Sequence, residues 1–307
     1  MDGIINVYKE SGYTSHDVVA RLRGILCTRK IGHTGTLDPM AEGVLPVCIG
    51  NATKLCDTFT DTDKEYAAVM VLGKTYDTLD VTGVIQEEKD VIVTESEIRA
   101  AVGSFVGGYD QIPPMYSAKK VGGRKLYELA RDGRVIERKS VFVKIYEIEI
   151  TDIEIPHVTI RVRCGKGTYI RSLIDDIGRK LSCGAAMEKL TRTRVGDFTA
   201  DRAYRLSDIE KMRDDGRITE VILTPEEIFA GLDRVCMPAG SSGLLRNGNT
   251  IRGGLLAGAR PRPKDRPDDG TRYRMYDEDG IFCGVYEYIA AKDIFRPYKM
   301  FPDTADR

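Results

Sequence analysis

Residues 32–50 read GHTGTLDPMAEGVLPVCIG and set a single acid, Asp38, between a glycine-rich turn and an apolar run. A phosphate-binding loop is the first chemistry to weigh. The spacing GxxG lacks the following Lys-Ser/Thr pair that a Walker loop uses to hold nucleotide phosphate and magnesium. His33 beside Thr34 and Thr36 raises a hydrolase site as the second, yet no GxSxG and no neighbouring base accompanies it. Structural uses compete with both. Asp-Pro fits a helix start, with Asp38 as N-cap and Pro39 in the first helical position, although the following MAEG leaves room for about one turn before Gly43. A short turn serves the same residues. Local rules leave these readings of Asp38 open.

The elements that must position this segment are readable from periodicity. Gly3 to Tyr8 is an apolar run suited to a strand, and TSHDVVARLRGIL pairs Thr14 with Asp17 as a capping box ahead of a helix with Val18, Val19, Leu22 and Ile25 on one face. Strands are expected at 44–49, 66–72, 143–151 and 158–164, the last alternating Val158, Ile160 and Val162 with Thr159, Arg161 and Arg163. Thr94 and Glu97 cap a second helix bearing Ile98, Val102 and Phe105. After GKGT a third helix carries Ile170, Leu173, Ile174, Ile177 and Leu181, and a polar helix follows at 206–214. Residues 103–140, with paired prolines and many bases, read as an exposed insertion containing a helical piece at 125–132. Helices and hairpin-like strands together predict a mixed-sheet α+β domain. From Leu232 onward, short strands and glycine turns predict a small β-barrel, with 260–272 as a proline-rich loop.

Composition narrows the class. At 307 residues, 42% of them apolar, the chain suits one large domain and one small one. No apolar run reaches membrane-spanning length, and MDGIINVYKE has no signal-peptide character, so a cytoplasmic protein is expected. Seven cysteines without a CxxC pair, and only three histidines, fit neither a zinc framework nor a disulfide scaffold. Free thiols and no bound metal are expected. The net charge of -1 hides a separation. Residues 57–95 hold ten acids and three bases, 113–140 eight bases and three acids, and 161–205 eleven bases and five acids. Two basic segments can form one polyanion-binding face, or each can be an ordinary solvated surface.

Taken together, these segments resemble one family. GHTGTLDPMAEGVLPVCIGNATK is similar to the catalytic segment of the TruB-type tRNA pseudouridine synthases. GIINVYKESGYTSHDVV resembles their N-terminal motif, KEYAAVMVLG their tyrosine strand, and QIPPMYSAKKVGGRKLYELARDG their RNA-gripping insertion. GTYIRSLIDDIG and KLTRTRVG resemble the two later active-site motifs, and the end of the chain, through DIFRPYKMF, resembles a PUA-like RNA-binding domain. The resemblance implies a pseudouridine synthase domain at 1–231 and a PUA-like domain at 232–307.

What the resemblance implies chemically is the isomerisation of uridine 55 in the tRNA T-loop, with no cofactor, after the base is flipped into a pocket. Asp38 is then the nucleophile, and its point of attack stays open among the sugar C1′, C6 of the base and elimination to a glycal. Arg171 pairs with Asp38, Tyr169 contacts the sugar and moves a proton at C2′, Tyr66 stacks on the base and Leu190 packs on it. His33 enters the T-loop. Lys9, expected to bind the RNA substrate, belongs to the start motif, which here runs Lys9-Glu10-Ser11-Gly12 in place of the family's Lys-Pro-x-Gly. Lys119, Lys120 and Arg124 are expected at RNA phosphates. A monomer acting on tRNA without a partner protein is the expectation. The rivals are a guide-RNA-dependent relative of the dyskerin type and a non-catalytic RNA-binding or tRNA-folding protein.

Overall fold

The computed structural model describes residues 1–259, 263 and 267–301. Of the expected loop 260–272, residues 260–262 and 264–266 lie outside the described residues, and Arg272 already opens the strand Arg272–Tyr276. The apolar runs form a nine-stranded mixed sheet. Its main path is Ile145–Glu154, His157–Cys164, Lys64–Leu72, Ala185–Val195, Glu42–Ile49, Gly3–Lys9 and Ile222–Leu223, with Phe198–Thr199 and Ile31–His33 branching from it. Glu42–Ile49 runs parallel to Ala185–Val195, pairing Gly43 with Arg192, and the other strand pairs in this sheet are antiparallel. Gly43 has φ +105°, and a Cβ there would lie 2.2 Å from the Arg192 carbonyl oxygen. That seam therefore requires a residue without a side chain.

Both faces of the sheet are covered. The Thr14 capping box starts the helix Ser15–Ile25, whose Val18, Leu22 and Ile25 pack with Ile209 of the helix Leu206–Asp214 onto Ile5 and Val47. On the opposite face, Ile170, Leu173, Ile174 and Ile177 of the helix Ile170–Lys180 meet Ile98 and Val102 of the helix Glu95–Gly103. Four buried aliphatic side chains contribute roughly 6–12 kcal/mol of gross burial, well above the ~1 kcal/mol of an N-cap. The helix Ile170–Lys180 has no side-chain cap hydrogen bond of its own. Burial, then, holds its first turn in place.

Phe105, expected within a helix, falls beyond its end at Gly103 and reaches the core from the turn that follows. The exposed excursion opens from a ladder between Tyr109–Gln111 and Val141–Val143. Inside it, Leu126–Arg131 is helical, and Met115, Leu126 and Leu129 form a cluster of their own. A second sheet of five strands, in the order Asp233–Cys236, Arg272–Tyr276, Phe282–Ile289, Ile294–Met300 and Ile251–Arg252, has a separate apolar core around Val235, Met275 and Phe295. Phe282 and Phe301 join it to Val44, Cys48 and Phe198 of the main sheet. Among the described residues, no helix is long and apolar enough to cross a membrane.

Candidate active site

A cleft of about 660 Å³ opens where the parallel seam meets the Tyr66 strand. Strand register sets its floor. Arg192 lies opposite Tyr66, and Leu190 opposite Ala68, so the two-residue period puts Tyr66, Leu190 and Arg192 on one face. Asp38 approaches from the loop before Glu42, and Tyr169 and Arg171 from the start of their helix. Hence the candidates Asp38, Tyr66, Tyr169, Arg171 and Leu190, dispersed along the sequence, line one cleft.

Asp38 is not a helix N-cap. Its carbonyl accepts from the Ala41 amide at 3.1 Å, closing a turn over Pro39 and Met40. The Arg171 guanidinium meets the Asp38 carboxylate in a two-pronged pair, Nε to Oδ2 at 2.9 Å and Nη2 to Oδ1 at 3.0 Å. Arg171 is no surface arginine: its side chain is 6% exposed, whereas that of Asp38 keeps 36% of its surface open to the cleft. The remaining donors of Arg171 reach the carbonyls of Thr78 at 2.9 Å and Tyr116 at 2.7 Å, and Asp80 stands 3.7 Å away. Burial pushes the Asp38 carboxyl above its ordinary value, the Arg171 charge pulls it back, and Asp80 adds to the rise. Desolvation outweighs pairing, so the carboxylate is a stronger base than an exposed aspartate.

Gln111 fixes Tyr169 through its backbone. Its side-chain oxygen accepts from the Tyr169 amide at 2.8 Å, and its Nε2 donates to the Tyr169 carbonyl at 3.0 Å and to the Tyr109 hydroxyl at 2.7 Å. The amide thereby supplies the start of the helix with an acceptor. Burial raises the Tyr169 phenol, which keeps its proton at neutral pH. Tyr66 is raised for the same reason, with the neighbouring Arg192 charge pulling it back.

Arg192 is the principal residue that sequence reasoning missed. It is 1% exposed, and its guanidinium donates to the carbonyls of Val44 at 2.7 Å, Gly35 at 3.3 Å and Thr36 at 3.4 Å. It ties the Asp38 loop to the Tyr66 strand. Its only sequence signal is its place in the basic run KLTRTRVG.

Lys9 departs from its expected role at the RNA. It is fully buried, and its ammonium donates to the carbonyls of Ala41 at 2.6 Å, Pro39 at 2.9 Å and Glu10 at 3.1 Å. No donor is left for a phosphate. Burial pulls Lys9 down to about 8, with Asp38 and Glu42 acting in the opposite direction, and it remains charged at neutral pH. Lys9→Met is expected to lower unfolding stability by about 2–3 kcal/mol, because carbonyls in the Asp38 turn lose a charged donor. Denaturant titration checks this. Stability equal to wild type would refute the bracing role.

The other expected contacts divide. His33 is half-buried, packs edge-on to His16 with ring centroids 5.4 Å apart, and lies one residue outside the catalytic cleft. Lys119 lines the cleft, while Lys120 is exposed on the insertion's ladder directly opposite Lys125. Arg124, expected at a phosphate, is paired with Asp132 at 2.7 Å instead. Both partners are about half exposed, so the pair contributes little and opens readily. The cysteines are free, and no cluster among the described residues has the makings of a metal site.

Residues 23–170 match the TruB family pseudouridylate synthase (N terminal domain), and residues 171–240 match the tRNA pseudouridylate synthase B C-terminal domain. A tRNA pseudouridine synthase B of Lachnoclostridium phytofermentans is 48% identical over 98% of this chain and all of that protein. One of Clostridium acetobutylicum is 44% identical over 93% of this chain and 95% of that protein. Among solved structures, an H/ACA RNP bound to a substrate RNA containing 2'-deoxyuridine aligns with TM-score 0.70 and 26% identity, covering 99% of this chain and 86% of the other. A Cbf5-Nop10-Gar1 complex aligns with TM-score 0.68 and 28% identity, covering 94% of this chain and 79% of the other.

Proposed function

The chain belongs to the TruB family of pseudouridylate synthases, and from that premise we propose that it isomerises a uridine of tRNA, position 55 of the T-loop, to pseudouridine. The reaction breaks the bond between N1 and C1′ and makes one between C5 and C1′. A proton leaves C5 and one is gained at N1, so no co-reactant is required. The observation that carries the reading is the two-pronged Asp38–Arg171 pair at the edge of a cleft floored by Tyr66 and Leu190. A flipped pyrimidine can lie between an aromatic ring and an aliphatic side chain there, with the carboxylate beside its glycosidic bond.

In this scheme Asp38 is the attacking carboxylate, Arg171 holds it in place, and the protonated Tyr169 phenol contacts the sugar. Lys119 faces the cleft mouth. Lys120 and Lys125 stand directly opposite each other, a like-charge arrangement that an RNA phosphate would relieve. The match to the TruB family and to tRNA pseudouridine synthase B relatives favours direct action on tRNA over the dyskerin-type alternative, and we take the protein to act as a monomer in the cytoplasm. The five-stranded sheet fits a PUA-like half-barrel and supplies a second RNA-binding surface. We place the domain boundary near residue 231, ahead of the strand Asp233–Cys236.

Incubation of the purified protein with an unmodified tRNA transcript, followed by chemical labelling of pseudouridine, is expected to show product at T-loop position 55. A transcript with cytidine at that position should stay unlabelled. Product elsewhere, or none, would overturn the assignment. The raised Asp38 carboxyl also sets a pH dependence. Protonation removes the reacting anion, so kcat/KM should rise with pH through a midpoint above 3.8, the ordinary aspartate value. An acid limb at or below that value would contradict the geometry.

A further inference from the structure

A second cleft, about 540 Å³, lies between the helix Ser15–Ile25 and the strand Ile31–His33. His16, Arg23, Arg29, Lys30 and His33 stand in its wall, and no carboxylate does. Arg23 and Arg29 are exposed and have no ion-pair partner among the described residues. Exposed arginines differ in this respect, since Arg21, Arg134 and Arg202 also have no ion pair among the described residues. Arg161, Arg205, Arg213, Arg217 and Arg246 are each held by a carboxylate. Lys30 donates to the Asn51 amide oxygen at 2.8 Å, which leaves its charge uncompensated. The Nδ1 atom of His33 is buried without a hydrogen-bond partner. A concave wall that gathers so much positive charge without a counter-charge focuses a field on whatever enters it.

The cleft also has a fixed relation to the reacting centre. His33 lines this cleft and Thr34 lines the catalytic one. The Cα atoms of adjacent residues are ~3.8 Å apart, so one backbone segment supplies a wall residue to each cleft. An RNA strand that delivers one nucleotide to Asp38 has neighbouring phosphates within reach of this second wall.

We infer that this cleft is a phosphate subsite for the RNA strand, with Arg23 and Arg29 holding backbone phosphates next to the nucleotide that enters the catalytic cleft. The inference rests on the proposed activity for the identity of its ligand. The contacts position the RNA and read no base.

The test is the double variant Arg23→Gln with Arg29→Gln, measured for equilibrium binding of an unmodified tRNA transcript across a series of KCl concentrations. Loss of two phosphate contacts should make the slope of log affinity against log salt shallower by about 1.5, and weaken binding roughly ten- to thirtyfold near 0.15 M salt. The loss should fall on KM more than on kcat. Arg99→Gln, on the helix Glu95–Gly103 and paired with Glu95, is the control and should keep the wild-type slope. Both cleft arginines are exposed, so melting temperatures should match wild type. A wild-type salt slope in the double variant would overturn the subsite and leave the cleft to an acidic protein segment. Binding that weakens as expected in a protein that forms no pseudouridine would sink the proposed activity while keeping the subsite.

Discussion

Asp38→Ala is expected to leave no measurable pseudouridine in tRNA, a fall on the order of 10⁴-fold or more in kcat/KM, while tRNA binding persists. The carboxylate is the proposed reacting group, and no other acid lines the cleft among the described residues. Asp80 lies behind Arg171 with its side chain only 13% exposed, and it helps set the charge balance without facing the nucleotide. Asp38→Asn should fail as completely, because the amide keeps the shape but offers one acceptor to two Arg171 donors and cannot attack. Chemical labelling after incubation with excess enzyme checks both variants. Product equal to wild type from either one would remove Asp38 from the mechanism and favour a non-catalytic RNA-binding role.

The second large effect belongs to Arg171→Met. Turnover should drop by about 10²–10³-fold, the range for removing one preorganised electrostatic contact from a reacting centre, while RNA affinity is largely kept. Three segments converge on this guanidinium: the Asp38 turn, the Thr78–Asp80 turn and the insertion at Tyr116. Its loss leaves the Thr78 and Tyr116 carbonyls without their donor and Asp38 without its counter-charge. The sign of the electrostatic part is fixed. With the guanidinium gone, burial and Asp80 act on the carboxyl against only the smaller pull of Lys9, and the acid limb of kcat/KM must move to higher pH. Raising the pH should therefore restore part of the lost rate. A variant with full turnover, or one whose acid limb stays in place, would show that the pair is structural only.

Local physics that acts within a few residues was legible in the sequence. The capping boxes Thr14–Asp17 and Thr94–Glu97 are present as the spacing predicts, and alternation at 158–164 gave a strand with Val158, Ile160 and Val162 inward. The catalytic constellation was legible only as a set of motifs resembling a family, because the residues that surround Asp38 come from remote parts of the chain. Arg192 shows where such reading stops. A buried arginine satisfied by three carbonyls looks, in sequence, like any surface arginine in a basic run. Lys9 misled for the same reason: its partners are backbone oxygens, which no residue identity announces. For Asp38 itself, local rules left helix cap and turn open, and the turn prevailed because the chain enters the strand Glu42–Ile49 before a helical turn can complete.

The loop that presents Asp38 is braced from behind by the Lys9 ammonium and by the Gly12 amide, which donates to the Pro39 carbonyl at 3.0 Å. A proline at position 10 would stiffen the start motif by restricting the unfolded chain. Lysine acts by a different route, since its grip exists only once residues 9 and 39–41 have met. The two devices are independent in origin, and position 10 meets the Lys9 ammonium through its backbone carbonyl, which leaves its side chain free. Glu10 uses that freedom for a surface ion pair with Arg205. Replacing the Glu10 side chain should therefore cost the Asp38 turn less than replacing that of Lys9.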